Sequence, residues 1–204
     1  MRPLRFVVLG VLVVLVLGAQ GGRFEQQKRL GFAYLKDGKY DNAAAKLEEI
    51  WDLDKSDPMV GEGLAMAYLN GADRKANREV VAKAYQMMEK ALADGGKAVF
   101  IVVHSHERLS FLQGHELINF CSGQLQVSKD RISYVSESGD KGGQHSFDLP
   151  AGSIKEIAAN SDHLTFHIKS ADNKNFNMAP RSRAQEDSDF LLSLAGKYVK
   201  SSSK

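Results

Sequence analysis

The chain has 204 residues, 43% hydrophobic and 25% charged, with 27 Lys and Arg against 25 Asp and Glu, six His and a single Cys. This balance offers no basic surplus to release counterions from nucleic acid or to answer an anionic lipid surface, so neither is expected as a partner. One cysteine makes no internal disulfide, and ordinary apolar cores must hold one domain or two small ones.

The chain opens "MRPLRFVVLGVLVVLVLGAQGG". Two arginines precede an apolar run from Phe6 to Ala19, 14 residues long, whereas a membrane span needs about 20. Small residues at Ala19 and Gly21 complete the layout of a secretory signal cut after Gly21. The expectation is a signal over 1–21, or the same segment kept as an amino-terminal anchor, which is the only membrane contact expected. Either way the remaining chain lies outside the cytoplasm, periplasmic or secreted. Without Arg2 and Arg5 it carries 25 basic residues against 25 acidic ones.

From residue 22 to residue 95 the apolar residues recur at helical spacing. Two segments, "LGFAYLKDGKYDNAAAKLEEIWDLDKSDP" and "LAMAYLNGADRKANREVVAKAYQMMEKAL", place Leu30 over Leu64 and Tyr34 over Tyr68, both 34 residues apart. Leu30, Gly31 and Tyr34 match a first-helix signature, Gly38 and Tyr40 the turn, and Ala43 and Leu47 the second helix. In the second copy Leu64, Ala65 and Tyr68 match, but the second helix returns to register only at Ala84, Met88 and Ala91, after an insertion of about seven residues. The period and these residues resemble the tetratricopeptide (TPR) repeat. Asp57-Pro58 starts a helix well, an N-cap acceptor before a residue with no N–H to satisfy.

The resemblance implies a groove lined by the first helices: Glu25, Lys28, Phe32, Leu35 and Lys36, then Met59, Glu62, Met66 and Leu69. Phe32, Leu35, Met59, Met66 and Leu69 make that face apolar and deformable, a protein- or peptide-binding surface. Relatives that clamp a carboxylate use lysines and asparagines there, and only Lys28 is kept. The other expected occupants of the face are the second domain or another copy of the chain.

Asp94-Gly95-Gly96 marks a boundary. Beyond it the period becomes two, in "QLQVS", "RISYVS", "HSFDLP", "HLTFHIK" and "KNFNMAP", with turn clusters between, and the strand count starts from "AVFIVVH". About seven strands are followed by one helix, with Ser182 and Gln185 in capping-box spacing and Phe190, Leu191, Leu194 and Tyr198 on one face. The order of elements, together with "CSGQLQVSKDRISYVS", "HSFDLPAGSIKEI" and "FHIKSADNKNFNMAP", resembles the pleckstrin-homology (PH)-like domains of small exported bacterial proteins. An ordinary antiparallel sandwich is the competing architecture.

"VHSHERLSFLQGHELINFCSG" gathers His104, His106, His115 and Cys121 in a spacing that could supply metal ligands. It matches no common structural zinc signature, and the expectation is strand histidines with solvated tips, with no metal or other cofactor. His104, His106 and His115 remain the candidates for the metal reading. Cys121 reads as a small buried side chain beside Gly123 at a tight packing point. A lipid-headgroup site would need a basic first hairpin, and Arg108 there is offset by Glu107 and Glu116. Arg181 and Arg183 read as solvated charge flanking the helix start, offset by Glu186, Asp187 and Asp189. No phosphate loop, dinucleotide fingerprint or nucleophile elbow is present, so no enzyme is expected.

The sequence therefore predicts an α+β protein: a signal (1–21), a two-repeat TPR helical array (22–95), a seven-strand PH-like β-barrel closed by a C-terminal helix (97–200), and a tail (201–204). Its expected role is that of an exported scaffold that binds protein through the apolar groove, with the barrel as a second docking surface. The alternative is a small-ligand- or metal-binding barrel recruited through its helices.

Overall fold

The structure, a computed structural model, describes residues 22–71, 74, 78–105, 120–137 and 146–199. The expected signal, the first sheet hairpin with His106 and His115, the turn with Gly142-Gly143 and the tail lie outside the described residues.

Four helices come first: α1 (22–36), α2 (Tyr40–Trp51), α3 (Pro58–Asn70) and α4 (Arg78–Ala93). Each begins or ends where the sequence has a physical reason. Asp57 caps α3, its side chain accepting the Met59 and Val60 N–H groups at 3.0 and 3.4 Å, with Pro58 in the first turn. α4 is stopped by Gly95 at φ +91°, with Gly96 N–H donating to Ala91 O at 2.8 Å and Gly95 N–H to Leu92 O at 3.2 Å. These paired bonds are a Schellman stop, which places the chain reversal at the boundary read from Asp94-Gly95-Gly96.

α3 is buried continuously from Val60 to Leu69. A helix apolar around its whole circumference needs neighbours on every side, and α3 packs against α2, α4 and a strand of the sheet. Positions equivalent under the repeat alignment have matching burial in the second helices: Ala43 with Ala84, and Leu47 with Met88, are all fully buried. Leu30 and Leu64 differ, Leu30 being exposed and Leu64 buried.

Seven strands follow: β1 (Ala98–Ser105), β2 (Phe120–Val127), β3 (Arg131–Ser136), β4 (Phe147–Pro150), β5 (Ile154–Ala159), β6 (Phe166–Ser170) and β7 (Asn175–Pro180). They form one curled antiparallel sheet in the order β4-β3-β2-β1-β7-β6-β5. β4 and β5 are its two edges, joined through a 3-10 turn at Ala151–Ser153. Helix α5 (Gln185–Leu194), continued by a π-turn at Ala195–Val199, buries Leu191 and Leu194.

Register sets which side chains share the concave core. His104 faces Cys121, Val102 faces Gly123 and Phe100 faces Leu125 across β1–β2; Leu125 in turn faces Tyr134 on β3. β2 alternates buried and half-buried, as a strand with one wet face should. β1 is buried at all eight positions, so its second face, Val99, Ile101 and Val103, must also be covered, and the helices cover it. That is why "AVFIVV" reads as an unbroken apolar run.

The helix-capping expectation at α5 is corrected. The N-cap is Ala184, without a side-chain cap bond. Ser182 accepts the Ala184 N–H at 3.3 Å and donates its hydroxyl to Asp187. Asp187, expected to offset Arg181 and Arg183 at the helix start, is buried and takes Arg74 Nη2 at 2.8 Å and the Tyr85 hydroxyl. A buried charge needs partners, and the helical half supplies them. Burial, then the Asp187 carboxylate, pushes the Tyr85 phenol up from its usual pKa. Tyr85 also stacks on Phe190 of α5, centroids 4.0 Å apart, and Lys197 reaches Glu89 at 3.2 Å.

At Gly123 an added methyl would lie 2.3 Å from the Val135 carbonyl and 2.6 Å from the Tyr134 ring. Gly123→Ala is expected to lower the urea midpoint, at a cost of about 1–3 kcal/mol. Gly152→Ala, with nothing within 4 Å of the new methyl, is expected to stay within about 0.5 kcal/mol of the parent.

Candidate functional site

The helices and the sheet meet along β1, and beside that seam lies a cleft of about 700 Å3. One wall comes from α1 and α3: Phe32, Leu35, Met59, Glu62 and Met66. The other is the outer face of β1 and β2, where Val99 pairs with Gln126 and Ile101 with Gln124. Arg181, Tyr40 and Glu137 also line it. Arg181 is held there by its own N–H, which donates to Ile101 O at 2.9 Å.

Four of the five groove residues read from sequence thus share one cleft: Phe32, Leu35, Met59 and Met66. Leu69 is buried outside its lining. The floor is packed, with Met66 8% exposed, whereas Met59 at the rim is 54% exposed. Lys28, expected in the groove, is committed to Asp57 at 2.6 Å. The sheet-side residues Val99, Ile101, Gln124, Gln126 and Arg181 were not foreseen as part of the groove. Their signal was the uninterrupted apolar run of β1, which demands a second covering layer.

Glu62 is the unusual member. It is 9% exposed on a helix otherwise apolar all round. Its Oε1 accepts the Lys97 N–H at 2.7 Å, holding the first residue after the glycine stop against α3. Burial raises its pKa above the usual carboxyl range, a shift that the Lys97 N–H and ammonium only partly offset. The Lys97 ammonium itself binds Gln126 Oε1 at 2.8 Å. Nearby, burial also raises the pKa of Tyr40, with Arg181 opposing and Glu137 adding to the shift.

His104 is corrected as well. Its tip is not solvated: the residue is 7% exposed, its Nδ1 lies 3.8 Å from Cys121 Sγ, and its ring meets Tyr134 edge-on at 5.6 Å. The cause is again β1, which has no wet face. Cys121 is buried, its Sγ 3.2 Å from the Tyr134 hydroxyl. Two other histidines are placed. His163 sits exposed in a turn at φ 56°, and His167 on β6 contacts Asn160 Oδ1 at 2.8 Å. Among the described residues no group of three or more His, Cys, Asp or Glu side chains could hold a metal ion. His106 and His115 lie outside them. Nor is any described helix long and apolar enough to cross a membrane.

No family model matches the chain, and no curated protein does. Among solved structures, the chain is similar to the N-terminal PH domain of the human ARAP2 protein, at 15% identity over 53% of this chain and 84% of that one, with a TM-score of 0.39. It is also similar to the C-terminal domain of an unknown protein from Leishmania infantum, at 15% identity over 50% of this chain and 82% of that one, with a TM-score of 0.30.

The raised pKa of Glu62 means that its ionised form opposes folding. Its contribution to stability is greatest at low pH and is lost as pH rises through the folded pKa. Glu62→Gln keeps an acceptor for Lys97 and removes the charge, so at about pH 7 it should melt higher than the parent. The gap should close as pH falls and Glu62 protonates; thermal melts across the acid range measure it.

Proposed function

We propose that this chain is an exported protein-docking module in which a TPR-like helical array and a PH-like sheet domain together form one binding cleft. The observation that carries this reading is the convergence of Phe32, Leu35, Met59 and Met66 on a cleft whose far wall is the outer face of β1 and β2. The apolar floor supplies contact area, and the thioethers of Met59 and Met66 adapt to an incoming side chain. The polar rim of Gln124, Gln126 and Arg181 offers hydrogen-bond donors and acceptors to an extended partner segment. The PH-like reading of the sheet is supported by the strand count, the antiparallel order and the closing helix α5. The repeat reading is supported by the 34-residue spacing and the matched burial of Ala43 with Ala84 and Leu47 with Met88. Export rests on the amino-terminal sequence alone.

Met59 is the place to test docking, because it is open to solvent while Met66 is packed. Met59→Glu should leave the melting temperature unchanged and weaken binding of partners captured with the parent protein by about tenfold or more. Leu53→Glu, at an exposed residue outside this cleft, should keep them. Partners that bind Met59→Glu as tightly as the parent would rule out the cleft.

A further inference from the structure

The cleft holds a buried carboxylate that the fold does not fully answer. Glu62 is more than nine-tenths buried and lines the cleft, and its one hydrogen-bond donor among the described residues is the Lys97 N–H. An ionised carboxylate can accept about four hydrogen bonds, and a buried one is costly unless paired. The Lys97 ammonium acts on Glu62 as an opposite charge but hydrogen-bonds to Gln126, and the Lys28 ammonium is paired with Asp57. Asp57 acts on Glu62 only as a like charge.

The surroundings are apolar. Phe32, Met59, Met66 and Val99 wall the same cleft, a lining that suits an aliphatic stem while the carboxylate suits a donor at its tip. The lining carries three cations, Lys36, Lys97 and Arg181, and three acids, Asp37, Glu137 and Glu62. Asp37 pairs with Lys39 at 3.4 Å, Arg181 and Glu137 both act on Tyr40, and Lys36 is the remaining cation besides Lys97. Glu62 is the one buried acid of the lining.

We propose that Glu62 is a recognition carboxylate for a cationic side chain, lysine or arginine, of the segment that docks in the cleft. The proposal rests on the docking reading and adds the chemical class of what enters. The aliphatic stem lies along Met59, Met66 and Phe32, and the ammonium or guanidinium donates to the Glu62 carboxylate. Glu62 then has two roles: it fixes the start of β1 through one oxygen and reads the partner through its remaining acceptor capacity.

Three probes of equal length and different charge, hexylammonium, hexanol and hexanoate, test this on the full chain carrying 13C-methyl methionine, with the Met59 and Met66 methyl signals as the readout. Hexylammonium should bind about tenfold or more tighter than hexanol, and hexanoate weakest, as expected for a hydrogen bond to a charged group. In Glu62→Gln, which keeps an acceptor for the Lys97 N–H, hexylammonium should fall to the affinity of hexanol. Equal binding of all three to the parent protein would overturn the cation proposal and leave the docking cleft standing. Tightest binding by hexanoate would overturn it in favour of Lys36 and Arg181. A preference that persists in Glu62→Gln would assign it to another group. If none of the three shifts the Met59 and Met66 methyls, both the proposal and the docking cleft fall. The comparison on the parent protein needs no variant to fold.

Discussion

Everything in this structure hangs on β1 having two dry faces. Its even-numbered residues from Ala98 to His104 face the concave core of the sheet, and Val99, Ile101 and Val103 face the helices. Fully burying a residue such as Val, Ile or Phe contributes about 1.5–3 kcal/mol. The strand therefore stabilises two layers at once, and neither layer can shed the other without wetting it. α3 answers from the other side, with every residue from Val60 to Leu69 buried. The cleft follows from this arrangement: it is the part of the seam that α3 and β1 do not fill.

Polar contacts decide how the seam is oriented. Arg74, Tyr85 and Ser182 converge on Asp187, and the side chains of Arg74 and Asp187 are 10% and 5% exposed. Removing one member of such a buried pair costs about 3–5 kcal/mol, because the other is left charged and dry. Tyr85 on Phe190 adds an aromatic stack beside it. This clasp joins α4 to α5, while Glu62 holds Lys97 at the chain reversal. The cleft lies between α1 and α3 on one side and the outer face of β1 and β2 on the other. A binding surface that is rigidly framed yet open at its rim suits the docking role proposed for it.

Much of this was legible in the sequence, and the failures have a common physical origin. The helical half, the boundary at Asp94-Gly95-Gly96, the seven strands and the closing helix follow from periodicity, a glycine stop and an N-cap at Asp57. Phe32, Leu35, Met59 and Met66, singled out from the repeat alignment, line one cleft. What local pattern could not supply is which face each element turns to another part of the chain. His104 looked like a strand histidine with a wet tip because the layer that covers the second face of β1 lies elsewhere in the chain. Asp187 looked like first-turn charge because Arg74, more than a hundred residues earlier, was not known to reach it. Ser182 was read as a cap, but Asp187 draws its hydroxyl away. Lys28 stood in the groove until Asp57 claimed it. Each error concerns a polar group whose partner lies far away in sequence, and nothing short of the tertiary fold reports that.

The central claim is that β1 makes the helices and the sheet one cooperative body. Urea unfolding followed by the fluorescence of Trp51, the chain's single tryptophan, on α2, and by amide hydrogen exchange along β5 and β6 tests it most directly. The account predicts one transition, with the same midpoint and slope from both probes. A helical transition at lower urea, leaving β5 and β6 still protected, would contradict it.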